Sequence, residues 1–236
     1  VDLEPVSQRQ QAVRRAFASY RGAPLGARAF VAARYVVAPL GPLADQFSGL
    51  SGRVLSLGSG LSMIERYLAE LEPELCFEGV DLDPAKVELI ARTRHQSPRV
   101  SLRHGDATKL APSDGGPRYD HALVCDAMHH FPADAHREVL GSVAGVLRPG
   151  GVVVVKDLDA RPAWKYHWNR VHDRIVAGSE PIFCRPPADM AALLGEAGLT
   201  VEHAERIDHA LTPYAHYVVR AVKPPVPGTS QPASLA

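Results

Sequence analysis

The chain has no surplus of charge: 26 Lys and Arg stand against 26 Asp and Glu in 236 residues. A protein that grips nucleic acid through its electrostatic field carries a basic face, and neither a Lys/Arg-rich block nor a basic stripe occurs, so no nucleic-acid partner is expected. Cysteine is scarce. Cys76, Cys125 and Cys184 are far apart and odd in number, which argues against a disulfide scaffold or zinc ribbon and reads as reduced thiols in a cytoplasmic protein. No apolar run is long enough to span a bilayer, and the first residues lack a signal-peptide pattern. No His-x-x-x-His pair is backed by a third ligand, so no metal is expected. There is no Gly-x-Ser-x-Gly elbow to favour a hydrolase and no internal repeat.

What is plentiful is apolar surface, 46% of residues, ample for the core of one domain with a moderate appendage. Its pattern alternates. Val/Leu-rich runs over 53–57, 75–79, 100–104, 121–125 and 152–156 read as strands, with helices near 61–71, 84–94 and 133–147 between them. Continuous apolar strands joined by crossover helices predict a parallel sheet buried on both faces. Two amphipathic segments, 6–20 and 27–37, precede the first strand and form an expected N-terminal helical cap over 1–49. After the fifth strand come a Trp/His-rich helix over 162–176, a Pro186-Pro187 break, and a helix over 188–197 closed by Gly198. Segments 201–207 and 214–222 read as two final strands. The expected domain therefore covers 50–223, and the Pro/Ser-rich 224–236 reads as a flexible tail.

The most informative segment is Arg53-Val54-Leu55-Ser56-Leu57-Gly58-Ser59-Gly60-Leu61-Ser62, followed by Gly79-Val80-Asp81-Leu82-Asp83. A buried strand, a glycine turn, a helix and a second strand ending in a carboxylate make a nucleotide-type cofactor site. Glycines at 58 and 60 let a ligand approach bare backbone, and Asp81 is placed to accept hydrogen bonds from the two hydroxyls of a ribose.

This order of motifs resembles the class I S-adenosylmethionine (SAM) dependent methyltransferases. Gly58 and Gly60 match the first two glycines of that family's turn, with Ser62 at the third, and Asp81 matches its ribose-binding acid. Gly105-Asp106-Ala107 resembles the adenine-binding segment. Tyr119 to Phe131 is similar to the fourth strand and its following loop, and Leu147-Arg148-Pro149-Gly150-Gly151 to the turn into strand five. The resemblance covers about 50–160. It implies an α/β fold with a Rossmann-like, doubly wound, mostly parallel seven-stranded sheet ending in an antiparallel hairpin. It also implies SAM as cofactor, held by Gly58, Ser59, Gly60, Asp81, Leu82, Asp106 and Ala107. One departure stands out. The family usually carries an acid in strand one, to orient the cofactor's ammonium group; this chain has Ser56, for which Glu65 on the next helix is a candidate substitute. An NAD-type dehydrogenase would need a third glycine where Met63 stands.

The expected activity is methyl transfer to a small molecule (a specialised metabolite, quinone or lipid-like precursor) by a monomer or homodimer. O-methylation is the first reading because imidazoles are at hand as bases; N- and C-methylation stay open. The alternative is a binding or regulatory protein that keeps the cofactor fold without methyl transfer. By the resemblance, Asp126, His129 and His130 occupy the loop facing the transferred methyl, and either histidine is a candidate base. Asp157 and Asp159 form a second carboxylate pair, with Lys156 and Arg161 as candidate partners. Asp157, Trp164, Trp168 and His172 are candidate substrate contacts, the last on a helix dense in aromatic and imidazole groups that also carries Asn169. Tyr214, His216 and Tyr217 have packing as their default reading.

Overall fold

A computed structural model describes residues 7–93, 98–110, 118–176, 182–208 and 212–225. The expected tail therefore lies almost wholly outside the described residues. The cap opens with α1 (Gln8–Ala18), whose Ser7 and Gln10 form a reciprocal capping box, and α2 (Leu25–Val37). A short α3 (Leu40–Asp45) follows Pro39, which was expected only to end the preceding helix: proline ends one helix and suits the start of the next.

The sheet strands are β1 (Gly52–Leu57), β2 (Leu75–Asp81), β3 (Val100–His104), β4 (Tyr119–Cys125), β5 (Leu147–Leu158), β6 (Thr200–Arg206) and β7 (His216–Val222), in the order β3-β2-β1-β4-β5-β7-β6. The first five strands pair in parallel, while β7 runs antiparallel to β5 and β6 antiparallel to β7. β1 lies between β2 and β4, with Ser56 opposite both Gly79 and Leu123. The strand order reverses there, so the crevice beyond the carboxyl ends of β1 and β4 is where a ligand is expected in such a sheet.

Helices cover both faces. One face packs α6 (Ala135–Val146) and α8 (Pro187–Glu196) through Val139, Leu140, Val143, Met190 and Leu194. The other carries α4 (Met63–Leu71), Ile90 of α5 (Pro84–Ala91) and the cap, whose Ala12, Tyr20, Val31 and Phe47 share one core with Val54, Tyr67 and Leu68. α7 (Ala163–Val176) follows β5. Two boundaries differ from expectation in ways that shape the site. α4 starts at Met63 rather than Leu61 because the chain is left-handed at Gly58, Gly60 and Ser62. β5 runs past Lys156 to Leu158, so Asp157 belongs to the strand.

Candidate active site

The two glycines of the turn do different things. At Gly58, φ is 65° and an added Cβ would stand 2.5 Å from the Ala127 Cβ, so bare backbone is required there for the loop after β4 to pack against the turn. Gly60, with φ 53°, would point a Cβ into open space, leaving room for a ligand. Asp81, at the end of β2, braces the turn: one carboxylate oxygen accepts from the Gly60 N–H at 2.6 Å and the other from the Asp83 N–H at 2.9 Å. A carboxylate has about four acceptor positions, so two stay available to a diol. Asp106 accepts from the Thr108 backbone at 2.9 Å and hydroxyl at 2.7 Å, and these bonds, aided by Lys109, lower its pKa. Ala107 lies buried beside it, while Leu82 is 68% exposed at the rim.

A carboxylate reaches Ser56 from α4. Ser56 and Ser59 both donate to Oε1 of Glu65, which is 2% exposed and lines the same cavity. Among the described residues its second oxygen, Oε2, has no partner. Burial raises the Glu65 pKa, and the two serine hydrogen bonds only partly oppose it. A buried carboxylate oxygen without a donor is costly, at roughly 1–3 kcal/mol or more. An ammonium group at that place would relieve it, so the residues fit SAM.

The cap is tied to this turn by two phenols. Tyr20 donates to the Leu61 carbonyl at 2.6 Å and Tyr35 to the Met63 carbonyl at 2.8 Å. From the same α2, Arg34 pairs with Asp126 Oδ2 at 2.5 Å, while Lys156 pairs with Oδ1 at 2.5 Å. Asp126 itself is left-handed, with φ 50°. Burial alone would raise its pKa, but Lys156 and Arg34 together hold the carboxyl far below the ordinary range. It is thus an anchored anion between two cations. Lys156 takes Asp126 rather than the carboxylates following it in sequence.

Those carboxylates separate. Asp157 accepts from the His129 backbone N–H at 3.1 Å and engages the His129 Nδ1, so the loop after β4 and strand β5 present a histidine–aspartate dyad. Asp159 instead accepts from the Arg161 N–H at 2.9 Å and from Arg206 at 2.5 Å. His130 is exposed on the cavity wall, its ring centroid 4.2 Å from that of His129.

On α7, the buried face consists of Lys165 and Asn169, four residues apart, with Trp164 56% and Trp168 49% exposed. Of these four residues only Asn169 reaches the cavity, so the structure does not bring Trp164 and Trp168 to the substrate wall where the sequence placed them. The His172 side chain lies outside the described residues. Sequence reasoning gave no role to Arg34, although it follows Phe30 by one helical turn and both line the cavity. It also left His216 as packing. Burial first, and then Lys156, depress the His216 pKa well below the ordinary value, and neither ring nitrogen has a hydrogen-bond partner.

A single cavity of about 770 Å³ joins these groups: Gly58, Gly60, Glu65, Asp81 and Asp106 at one end, Asp126, His129, Asn169 and His216 at the other. An open α/β sheet in this strand order, with a glycine turn at the switch point and an antiparallel hairpin at its end, has the Rossmann-like methyltransferase architecture. Comparison with known proteins agrees. Residues 54–151 match the family model described as a methyltransferase domain. Residues 54–151 are thus a methyltransferase domain, with SAM as cofactor.

Solved structures share the fold. A 1,6-didemethyltoxoflavin-N1-methyltransferase from Burkholderia thailandensis, with its namesake molecule and S-adenosylhomocysteine bound, is 22% identical over 95% of this chain and 93% of its own, with a TM-score of 0.61. An O-methyltransferase family protein from the same organism is 21% identical over 93% of this chain and 64% of its own (TM-score 0.63). A SAM-dependent methyltransferase from Methanosarcina mazei is 15% identical over 78% of this chain and 98% of its own (TM-score 0.62). No curated protein matches in sequence. Among the described residues, no helix is long and apolar enough to cross a membrane.

Proposed function

We propose that the protein methylates a small molecule at oxygen, the acceptor being a specialised metabolite, quinone or lipid-like precursor. The observation that carries this reading is the continuity of one cavity from the glycine turn to the His129–Asp157 dyad, with Phe30 and Arg34 of the cap in its wall. Its volume lies in the upper part of the roughly 300–1,000 Å³ range of small-molecule sites, which suits a nucleoside cofactor beside a modest acceptor. The small molecule named for the Burkholderia N1-methyltransferase supports the acceptor class.

When bound, SAM supplies an electrophilic methyl group on a sulfonium. The chain's own residues do the rest. Gly60 and Asp81 hold the ribose side, Leu82, Asp106 and Ala107 the adenine side, and Glu65 the ammonium. Asp157, at Nδ1, fixes the tautomer of His129 so that Nε2 carries the lone pair and takes the acceptor's proton. Lys156 and Arg34 set two positive charges against the single charge of Asp126, which favours an acceptor that has given up its proton.

The test is incubation with methyl-labelled SAM and a host extract separated by size. Label in the small-molecule fraction, released as methanol or methoxy-bearing products on degradation, is the expected result. Label confined to protein or nucleic acid overturns the acceptor class, and label on nitrogen or carbon overturns O-methylation.

A further inference from the structure

Asn169 sits in the interior of α7, where asparagine is a poor helix former. It is 2% exposed and lines the cavity, yet among the described residues neither its amide nitrogen nor its carbonyl oxygen has a partner. Structural buried amides are hydrogen-bonded almost without exception, so an orphaned one on a cavity wall is accounted for by something that enters the cavity. His216, from β7, repeats the pattern: it is 2% exposed, lines the same cavity, and among the described residues both ring nitrogens lack a hydrogen-bond partner, Asp126 Oδ1 standing 4.0 Å from Nδ1. Two separate elements thus bring unsatisfied donor–acceptor groups to one chamber.

The chemistry of the pair restricts the ligand. A carboxamide presents a donor and an acceptor side by side in one plane, and a neutral imidazole presents one of each. The matching edge also has a donor beside an acceptor, so that neither half of the amide is left facing its like. Phe30, Phe131 and Tyr214 line the cavity as well, and the Tyr214 ring is stacked on His216 at 5.6 Å and 20°. Such walls favour a flat ring over a flexible chain.

We propose that Asn169 and His216 form an acceptor subsite that selects a planar ring bearing a hydrogen-bond donor next to an acceptor, as in a lactam N–H/C=O edge. The proposal rests on the reading that this cavity takes a small acceptor. It makes Asn169 the specificity-determining residue of α7, in place of the outward tryptophans.

The test titrates the full chain with 2-pyridone, which has the N–H/C=O edge, and with N-methyl-2-pyridone, which keeps ring and carbonyl and lacks the donor. Both are followed by protein-observed NMR, without and with S-adenosylhomocysteine. The wild type is expected to bind 2-pyridone at least tenfold more tightly, and Asn169→Leu to reduce that preference below twofold. Because leucine replaces an unpaired amide, the melting temperature of that variant is expected to hold or rise. Asn169→Asp, close in size, keeps an acceptor for the ring N–H and loses the donor to the ring carbonyl, so it is expected to retain the preference for 2-pyridone while binding N-methyl-2-pyridone at least tenfold more weakly than the wild type does. A wild type indifferent to the N-methyl group, a preference surviving Asn169→Leu, or one lost in Asn169→Asp overturns the subsite. Indifference to the pyridones with S-adenosylhomocysteine bound sinks this inference alone. Pyridone selectivity without S-adenosylhomocysteine binding supports the subsite and sinks the methyltransferase reading.

Discussion

Ser56 and Glu65 exchange the roles that one strand residue has elsewhere: the serine occupies the strand position and donates at 2.5 Å to a glutamate reaching back from α4. The acid is relocated by one element rather than lost. Glu65→Gln is therefore expected to weaken SAM binding by about 1.5–3 kcal/mol, the usual worth of a hydrogen bond to a charged group, as read by calorimetry. The folded state favours protonated Glu65, so its charge costs stability as pH rises above the ordinary carboxylate range, and the same variant should melt higher at neutral pH. Ser56→Asp should place two carboxylates in contact and destabilise the protein. The double variant Ser56→Asp/Glu65→Gln should recover cofactor affinity. Unchanged binding in Glu65→Gln would remove the glutamate from the site.

The glycine turn separates packing from ligand access. Gly58→Ala pays for left-handed backbone, roughly 1–2 kcal/mol, and also meets Ala127 at 2.5 Å, so it should lower the urea midpoint by more than Gly60→Ala. At position 60 only the backbone term applies to the free protein, and the new methyl group stands where ligand is expected. Gly60→Ala should lose cofactor affinity out of proportion to its stability. Equal stability losses in the two variants would contradict the assignment.

The dyad predicts a graded loss of turnover. His129→Ala removes the base and should cost about 10²–10⁴-fold in kcat, the ordinary range for a positioned acid–base group, with SAM affinity little changed. Asp157→Asn keeps the size but not the charge of the histidine's partner, so a smaller fall in kcat is expected, with the base-dependent limb of the pH–rate profile displaced to lower pH. A profile unaltered in Asp157→Asn would reduce the aspartate to scaffolding.

Three histidines set the acid limit of stability. Burial holds the pKa values of His121, His136 and His216 below the ordinary value in the fold. The unfolded chain takes up these protons near pH 6.5 while the folded chain does not. Below that point the unfolded state binds more protons, and stability falls as pH drops. Melting curves should show the decline starting near pH 6.5, before the carboxylates titrate, and His216→Phe should flatten it. A plateau down to pH 5 would show that these side chains take up protons as readily in the fold as in the unfolded chain.

The sheet was legible because continuous apolar strands, glycine turns and crossover helices are local signals, and the glycine turn, Glu65 and Asp81 lie within one βαβ unit. The acceptor half was not. Arg34, Asp126 and Lys156 are brought together from α2, the loop after β4 and β5, and no local spacing announces a contact between positions so far apart in sequence. α7 misled for a different reason. Reading apolar residues as inward fails on a helix that faces a polar chamber: Lys165 and Asn169 turn in, and Trp164 and Trp168 turn out. The short α3 was missed because proline marks a boundary without saying whether another helix follows.

The hydrogen bonds from Tyr20 to Leu61 and from Tyr35 to Met63 make the cap and the cofactor turn answer to the same free energy. Lifting the cap strips two carbonyls at the start of α4 of their donors, and stiffening that turn holds the cap down. By reciprocity, whatever tightens the hold on cofactor by closing the cap is itself held more tightly when cofactor is present. The joint between cap and turn is thus carried by a pair of phenols that stand outside the cavity lining.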